Sequence, residues 1–377
     1  MRIAINTRFL IKDRLEGFGH YTHELLSRLT RNHPADTFDF YFDSDFSQEF
    51  VYAENVNARS VFPPARHPLL FYLWYQYALR NVLRSTTPDI FFSPDSFMPL
   101  GLGCPSVITV HDVAHKRYPA GIPFEHRKYY QYFMPKFLKE AAHIITVSEF
   151  SKHEILKYYP IREDKISVIY NGIGEGYTPV SADEQLVIRK QYTQGYPYFL
   201  FVGAIHPRKN VARLIEAYSL FRKTYDGLIK LLIVGRKSWK YRDVERAIVA
   251  SAYRDDILFT GYAPVRTLGK ITASAHALSY VSLYEGFGLP VAEAMACGVP
   301  VIVSQNSAHA EIAGEAGIQV DPESIENIAR AMRQISDDNT LRDTCINAGL
   351  KRSGIFSWDR AAEATYSALS SQFLDHH

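Results

Sequence analysis

Two carboxylates, Glu285 and Glu293, stand eight residues apart with Gly286, Phe287, Gly288, Leu289 and Pro290 between them. Gly286 and Gly288 admit backbone dihedrals closed to other residues and let a ligand approach the main chain. Pro290 suits the first position of a helix, and Gly298 suits its C-terminal end. A strand, a glycine turn and a helix in that order aim unpaired N–H groups and the positive end of a helix dipole at one spot. That field favours an anion by roughly 0.3–1 kcal/mol when exposed and up to ~2 when partly buried. A carboxylate near a helix N-terminus is ordinarily a dipole partner, which accounts for Glu293 taken alone but poorly for Glu285. Carboxylates also accept paired hydrogen bonds from vicinal hydroxyls, so two of them flanking a phosphate-binding turn suit a ligand that is part polyol and part phosphate. Sugar nucleotides have that composition.

Three further groups carry possible chemistry. Arg208 and Lys209 follow Val202 and Gly203 at the carboxyl end of a β-rich run. Basic residues there are commonly an exposed helix opening, but that end of a parallel sheet is also where ligands lie. Gly17 and Gly19 sit between the first strand and a helix whose apolar positions are Tyr21, Leu25, Leu26 and Leu29; a glycine pair is a plain turn or a place where a diphosphate comes close to the main chain. His111 and Asp112 close the apolar run that begins at Val107, so their side chains are expected at the strand's carboxyl end.

These residues need a parallel sheet behind them. β-rich runs at 2–6, 38–42, 89–94, 105–112, 143–148 and 165–170 alternate with helical patterns, and the second half repeats the rhythm at 198–204, 228–235, 257–261, 276–282, 299–304 and 317–320. The alternation predicts α/β units on two sheets, with the wholly apolar runs covered on both faces. The Gly- and Pro-rich segment 171–180 marks a boundary near residue 180, followed by a polar helix over 183–192. The expected organisation is 1–180 as an acceptor-binding domain, 181–355 as a nucleotide-sugar-binding domain, and 356–377 as a terminal helix packing back towards the first domain. Ser357 is its N-cap and Asp359 lies in its first turn. Two such domains leave a cleft between them for the ligands.

At 377 residues, with 47% hydrophobic and 22% charged content, the chain is too apolar for disorder and too long for one small core. Forty-two basic residues against 40 acidic ones leave a net charge of +2, which gives no field for a nucleic-acid partner. Cys104, Cys297 and Cys345 are widely spaced and odd in number, which predicts free thiols in a reducing compartment. The first residues read as a strand instead of an export signal, and the apolar stretch 69–79 falls short of the roughly 20 residues a spanning helix needs. A cytoplasmic location follows as an expectation.

The run from Glu285 to Val301 closely resembles the signature of the retaining GT-B glycosyltransferases of family 4. The resemblance extends to 201–210, 233–239, Phe259 to Tyr262 and Pro322. In the first half it reaches, more loosely, Gly17 to Tyr21, Thr109 to Asp112, Thr146 to Phe150, Asn171 and Gly172. It implies two Rossmann-like doubly wound domains and transfer of a hexose from a nucleotide diphosphate donor, with retention at the anomeric carbon and no obligatory metal or other cofactor. Carried over by position, Glu293 holds the ribose and Glu285 the donor sugar. The amides of Phe287, Gly288 and Leu289 face sugar and diphosphate, and Lys209 with Arg208 neutralises the leaving group. His111 contacts the sugar near its reacting carbon. Gly17, Gly19, Gly203 and Gly235 line the diphosphate. Many relatives carry Arg directly after the glycine at 203, where this chain has Ala204; Arg208 is expected to compensate. The 207–210 and 235–239 variants resemble the bacterial mannosyltransferase branch, which makes GDP-mannose the first donor and cell-surface polysaccharide the product, with UDP-sugars as the alternative.

The acceptor, a glycan or a lipid-linked glycan, is expected to meet the first domain. Residues 55–88 mix Arg59, Arg66, Arg80 and Arg84 with Phe71, Tyr72, Trp74, Tyr75 and Tyr77, and 126–139 have the same character. Such stretches either rest on anionic lipid at the inner face of the plasma membrane or turn inward as core, the commoner case. A nicotinamide oxidoreductase would need a Gly-x-Gly-x-x-Gly turn after the first strand, which is lacking. A non-catalytic sugar-binding or scaffold protein of the same fold is the remaining rival.

Overall fold

The computed structural model describes residues 1–377 except 14, 16, 66, 120–123, 237–240 and 377. Arg66 of the basic aromatic stretch and residues 237–239 of the 233–239 match thus lie outside the described residues. The chain forms two compact units, Met1–Gly172 with Ser357–His377 and Ile173–Phe356. The segment 173–180, which the sequence reading gave to the first domain, belongs to the second unit.

In the first unit, seven parallel strands form one sheet: β1 (Arg2–Asn6), β2 (Thr37–Phe42), β3 (Val56–Ser60), β4 (Ile90–Ser93), β5 (Ser106–Val110), β6 (His143–Thr146) and β7 (Ile166–Val168). Their order is β3-β2-β1-β4-β5-β6-β7. The chain reverses its direction of travel between β1 and β4, so the loops after these strands open a crevice where ligands of such sheets bind. β4 and β5 are buried at every position, as expected of strands covered on both faces. β3 escaped the sequence reading because it lies at the sheet edge and buries only Val56, leaving Asn57, Arg59 and Ser60 without an apolar pattern.

The helix Phe18–Asn32 buries Tyr21, Leu25, Leu26 and Leu29. The terminal helix Trp358–Leu374 joins the same unit. Ser357 caps it by accepting from the Arg360 N–H, Asp359 pairs with Arg28 at 2.7 Å, and Tyr366 donates to Asp36 at 2.6 Å. Gly172 admits no side chain because a Cβ there would overlap the Trp358 backbone.

The second unit repeats the plan with six parallel strands: β8 (Tyr198–Val202), β9 (Lys230–Val234), β10 (Ile257–Gly261), β11 (Ala277–Tyr280), β12 (Val301–Ser304) and β13 (Gly317–Val320). Their order, β10-β9-β8-β11-β12-β13, places the reversal between β8 and β11. The helix Ala182–Thr193 opens with a capping box between Ser181 and Glu184.

The basic aromatic stretches divide by face. Trp74, Tyr75, Leu79, Leu83, Met134, Phe137 and Leu138 are core, while Leu69, Tyr77, Phe124 and Tyr132 are more than half exposed. Lys136 lies 3.5 Å from the Tyr132 ring centroid. Among the described residues, no helix is long and apolar enough to cross a membrane.

Candidate active site

Loops after β8 and β11, the two strands that flank the reversal in the second unit, bring the predicted charges together. After Val202 the chain turns through Gly203, at φ 139°, into a short turn, Pro207–Lys209, capped by the His206 side chain accepting from the Arg208 N–H. Asn210, left-handed at φ 60°, ends that turn and donates from Nδ2 to the carbonyls of Val281 and Pro322, at 3.0 and 2.7 Å. The Arg208 carbonyl accepts from the Leu283 N–H at 2.9 Å, locking the two loops in register.

The consequence is an ion pair. Lys209 Nζ lies 2.8 Å from Glu285 Oε1 and donates to the Tyr280 hydroxyl at 2.5 Å, while Arg208 Nη2 lies 3.8 Å from the same carboxylate oxygen. Burial alone would lift the Glu285 carboxyl, but Arg208 and Lys209, with His309 beside them, hold it at about 2. Burial likewise opposes the Lys209 charge, yet Glu285 and Tyr280 raise its pKa above the usual lysine value. Ser307 fixes the Glu285 main chain: its Oγ accepts from the Glu285 N–H at 3.1 Å.

The helix Leu289–Ala296 starts at Gly288, which is left-handed at φ 101° and provides no side-chain cap; no acid occupies the first turn. Of the two glycines flanking Phe287, only Gly288 takes a positive φ, so Gly286 does not need the special dihedral the sequence suggested. Pro290 is the second helical residue, one later than expected, and Gly298 takes φ 68° just past the helix end. A Cβ at Gly288 would come within 2.5 Å of the His309 ring. His309 is wholly buried, packs at 4.8 Å on the Tyr280 ring, and has a hydrogen-bond partner at neither nitrogen. Burial depresses its pKa to about 3, so the ring is neutral. Gly235, at φ 154°, approaches Gly203 so closely that a Cβ would overlap the Gly203 carbonyl oxygen.

Glu293 is buried in the glycine-loop helix, and burial pushes its carboxyl up to about 7, a hydrogen bond from Tyr177 opposing this only in part. Tyr280, His309, Ser307 and Tyr177 all escaped the sequence reading. A tyrosine in an apolar strand or a lone histidine in an apolar helix carries no spacing that separates a site residue from core.

In the first unit, Gly17 takes φ 49° at the start of the helix Phe18–Asn32, again with no side-chain cap and no acid in the first turn. Gly19 is required by packing: a Cβ there would sit 2.5 Å from the Phe9 carbonyl oxygen. His111 follows β5, packed between the rings of Phe18 at 4.8 Å and Tyr21 at 4.5 Å. Burial lowers its pKa, and its Nε2–H donates to the Pro94 carbonyl at 2.9 Å. The neutral ring therefore offers Nδ1 as an acceptor. Asp112 accepts from the Ala114 N–H at 2.9 Å.

Twin doubly wound sheets, each with a glycine-started helix beside its reversal point, define an α/β protein of the class whose ligands bind at those points, and the sequence places it in a family. Residues 15–175 match the family described as Glycosyltransferase Family 4, and residues 184–352 match Glycosyl transferases group 1. The chain is 30% identical over 95% of its length to O-antigen chain mannosyltransferase B of Escherichia coli, covering 97% of that protein. It belongs to the family 4 (group 1) glycosyltransferases. O-antigen chain mannosyltransferase RfbU of Salmonella typhimurium is 29% identical over 71% of each chain. Among solved structures, sucrose-phosphate synthase from Thermosynechococcus elongatus shares the fold at TM-score 0.78 and 17% identity over 99% of both chains. HepE of Anabaena in complex with UDP and glucose does so at 0.74 and 17%, over 98% of this chain and all of that one. The chain is therefore a glycosyltransferase of the GT-B fold.

Proposed function

We propose that the chain transfers mannose from GDP-mannose to a glycan or lipid-linked glycan, with retention at the anomeric carbon and without an obligatory metal or other cofactor. The observation that carries the reading is the Lys209–Glu285 pair at 2.8 Å, flanked by Arg208. A sugar nucleotide entering there exchanges one partner for another on each side: its hydroxyls donate to Glu285 and its diphosphate accepts from Lys209 and Arg208. Uncapped helix starts at Gly288 and Gly17 supply amides for phosphate, and Phe287 and Leu289 flank the first of these. Gly235 and Gly19 are packed too closely for a Cβ and Gly203 takes φ 139°, so each glycine has a structural explanation and its share in diphosphate binding rests on resemblance. Similarity to two proteins named O-antigen mannosyltransferases, one over 95% of this chain and the other over 71%, supports mannose as the sugar.

In this reading Glu285 binds and does not attack. The Glu285 charge is met by the two cations before the donor enters and by the donor's own hydroxyls afterwards, which favours front-face transfer over attack by the carboxylate: the departing phosphate oxygen takes the acceptor's proton as the sugar–phosphate bond breaks and the new glycosidic bond forms. The fixed cations stabilise the charge developing on that oxygen, and His111 Nδ1 accepts from a sugar hydroxyl. A screen of nucleotide sugars by calorimetry and nucleotide release tests the donor, with GDP-mannose the expected hit. Glu285→Ala should lose at least about 100-fold in turnover while keeping nucleotide affinity, the size of effect seen when a transition-state contact is removed. An unchanged rate would contradict the assignment.

The exposed aromatic face of Tyr77, Tyr132 and Lys136 supports contact with an anionic membrane surface. Cosedimentation with anionic but not zwitterionic vesicles, lost in Tyr132→Ser with Lys136→Ser, is the expected result.

A further inference from the structure

A pocket of about 340 Å³ lies in the first unit beside the ends of β1 and β4, lined by Arg8, Phe9, Phe18, Phe71, Tyr129 and His126, among others. Resting on the donor reading above, we propose that this pocket binds the acceptor through a neutral pyranose ring, stacked on its aromatic walls and hydrogen-bonded by Arg8.

Four observations carry the assignment. The Arg8 guanidinium lies 4.5 Å from the ring centroids of both Phe9 and Phe71, and its Nε and Nη1 have no hydrogen-bond partner. A fork of buried donors is costly to leave unmet and complements a pair of adjacent hydroxyls. Second, the counter-charge is already in place. Asp95 and Asp43 both act on Arg8, and the Asp95 carboxylate is itself satisfied by Asn6 at 3.1 Å, Ser93 at 3.0 Å, Tyr75 at 3.2 Å and the Phe97 N–H at 2.9 Å. An anion placed against Arg8 would also meet the repulsion of both acids, so a lipid diphosphate fits less well than an uncharged sugar.

Third, the walls are aromatic faces, which pack against the C–H faces of a pyranose while its hydroxyls point at the polar edge. The helical segment that presents Phe71 and Tyr75 widens to a π-turn over Trp74–Leu79, a geometry uncommon in helices and frequent beside functional sites. Fourth, the pocket adjoins His111 within the same unit. Phe18 lines it and packs at 4.8 Å on His111, the residue assigned to the donor sugar. An acceptor ring held there lies one aromatic side chain from the histidine.

The test uses the full chain without nucleotide. Saturation-transfer NMR with the methyl α-glycosides of mannose, glucose, galactose and N-acetylglucosamine reads binding, and the variants are Arg8→Lys, Phe71→Leu and His126→Ala. The first keeps the charge opposite Asp95, the second keeps apolar volume, and the third changes an exposed side chain, so at least one folds normally by its melting temperature. We expect one glycoside to bind the parent chain and to lose about tenfold in affinity in the folded variants, the size of one hydrogen bond to a charged group. In turnover assays the same variants should raise the acceptor KM by a similar factor with the affinity for GDP unchanged. Equal glycoside binding in parent and variants, or displacement of the glycoside by inorganic pyrophosphate, overturns the proposal. Glycoside binding through Arg8 in a chain that binds no sugar nucleotide supports the pocket and refutes the donor reading, so the two fail separately.

Discussion

Glu285 and Glu293 are the same side chain in two electrostatic settings. Glu285 faces Lys209 and Arg208 and stays ionised down to about pH 2, whereas Glu293 faces a tyrosine and holds its proton up to about 7. Ribose hydroxyls donate best to a charged carboxylate, so nucleotide affinity should rise with pH through about 7 and level off above it. The folding equilibrium takes the opposite sign. Between the unfolded carboxyl value near 4.5 and the folded value near 7, the native state binds the extra proton, so its stability falls as pH rises. Glu293→Gln should remove both slopes, gaining about 1–3 kcal/mol of stability at pH 8 and losing the pH dependence of nucleotide binding. Calorimetric titration and denaturant melts at pH 5 and 8 check this; parallel slopes in variant and parent would refute the assignment. Sequence alone located both carboxylates and the cations because they sit in a contiguous turn or at a strand end. It could not rank their acidities, which depend on neighbours such as Tyr177 and His309 that no local spacing brings near.

At the level of elements, the glycine loop is held by what lies beneath it. Gly288 is left-handed, and the space a Cβ would fill is taken by the His309 ring, itself wedged against Tyr280. Gly288→Ala therefore meets two costs: a strained φ of about 1–3 kcal/mol and a clash that shifts the helix start. The variant should lose nucleotide affinity as well as stability. Adding His309→Ala should relieve the clash but not the strain, recovering part of the melting temperature; no recovery would mean that the histidine is not what confines the loop. Among the described residues, twelve of the thirteen strands could be read from apolar runs because buried parallel strands leave that mark on the sequence. β3 could not, since an edge strand answers to one neighbour and to water. The predicted strands also ran long: the β6 run reached Ser148, where the structure ends the strand at Thr146 and uses Ser148 to cap the next helix. A run of apolar residues shows what is buried, and the hydrogen-bond ladder ends sooner.

The whole chain passes between its two units twice, at 172–173 and at 356–357. The second unit is contiguous, but the first is completed only by the last 21 residues, Ser357–His377. Their helix buries Trp358, Ala361, Ala362, Thr365 and Leu369, and Trp358 seats against Gly172, the last residue before the chain first leaves that unit. Burying a tryptophan and a leucine contributes on the order of 3–6 kcal/mol, enough to decide whether a domain of this size is folded. A chain ending at Phe356 should therefore lose the first unit selectively. Its melting profile should split, the lower transition belonging to residues 1–172, and proteolysis should leave a fragment of roughly 173–356. That fragment should still bind nucleotide, because Lys209, Arg208, Glu285 and Glu293 all lie within it. Transfer should vanish, since His111 and the Arg8 pocket belong to the unit that has unfolded. A truncated chain that melts once at the parent temperature would show that the terminal helix is dispensable, and with it the view that the first unit closes on both ends of the sequence.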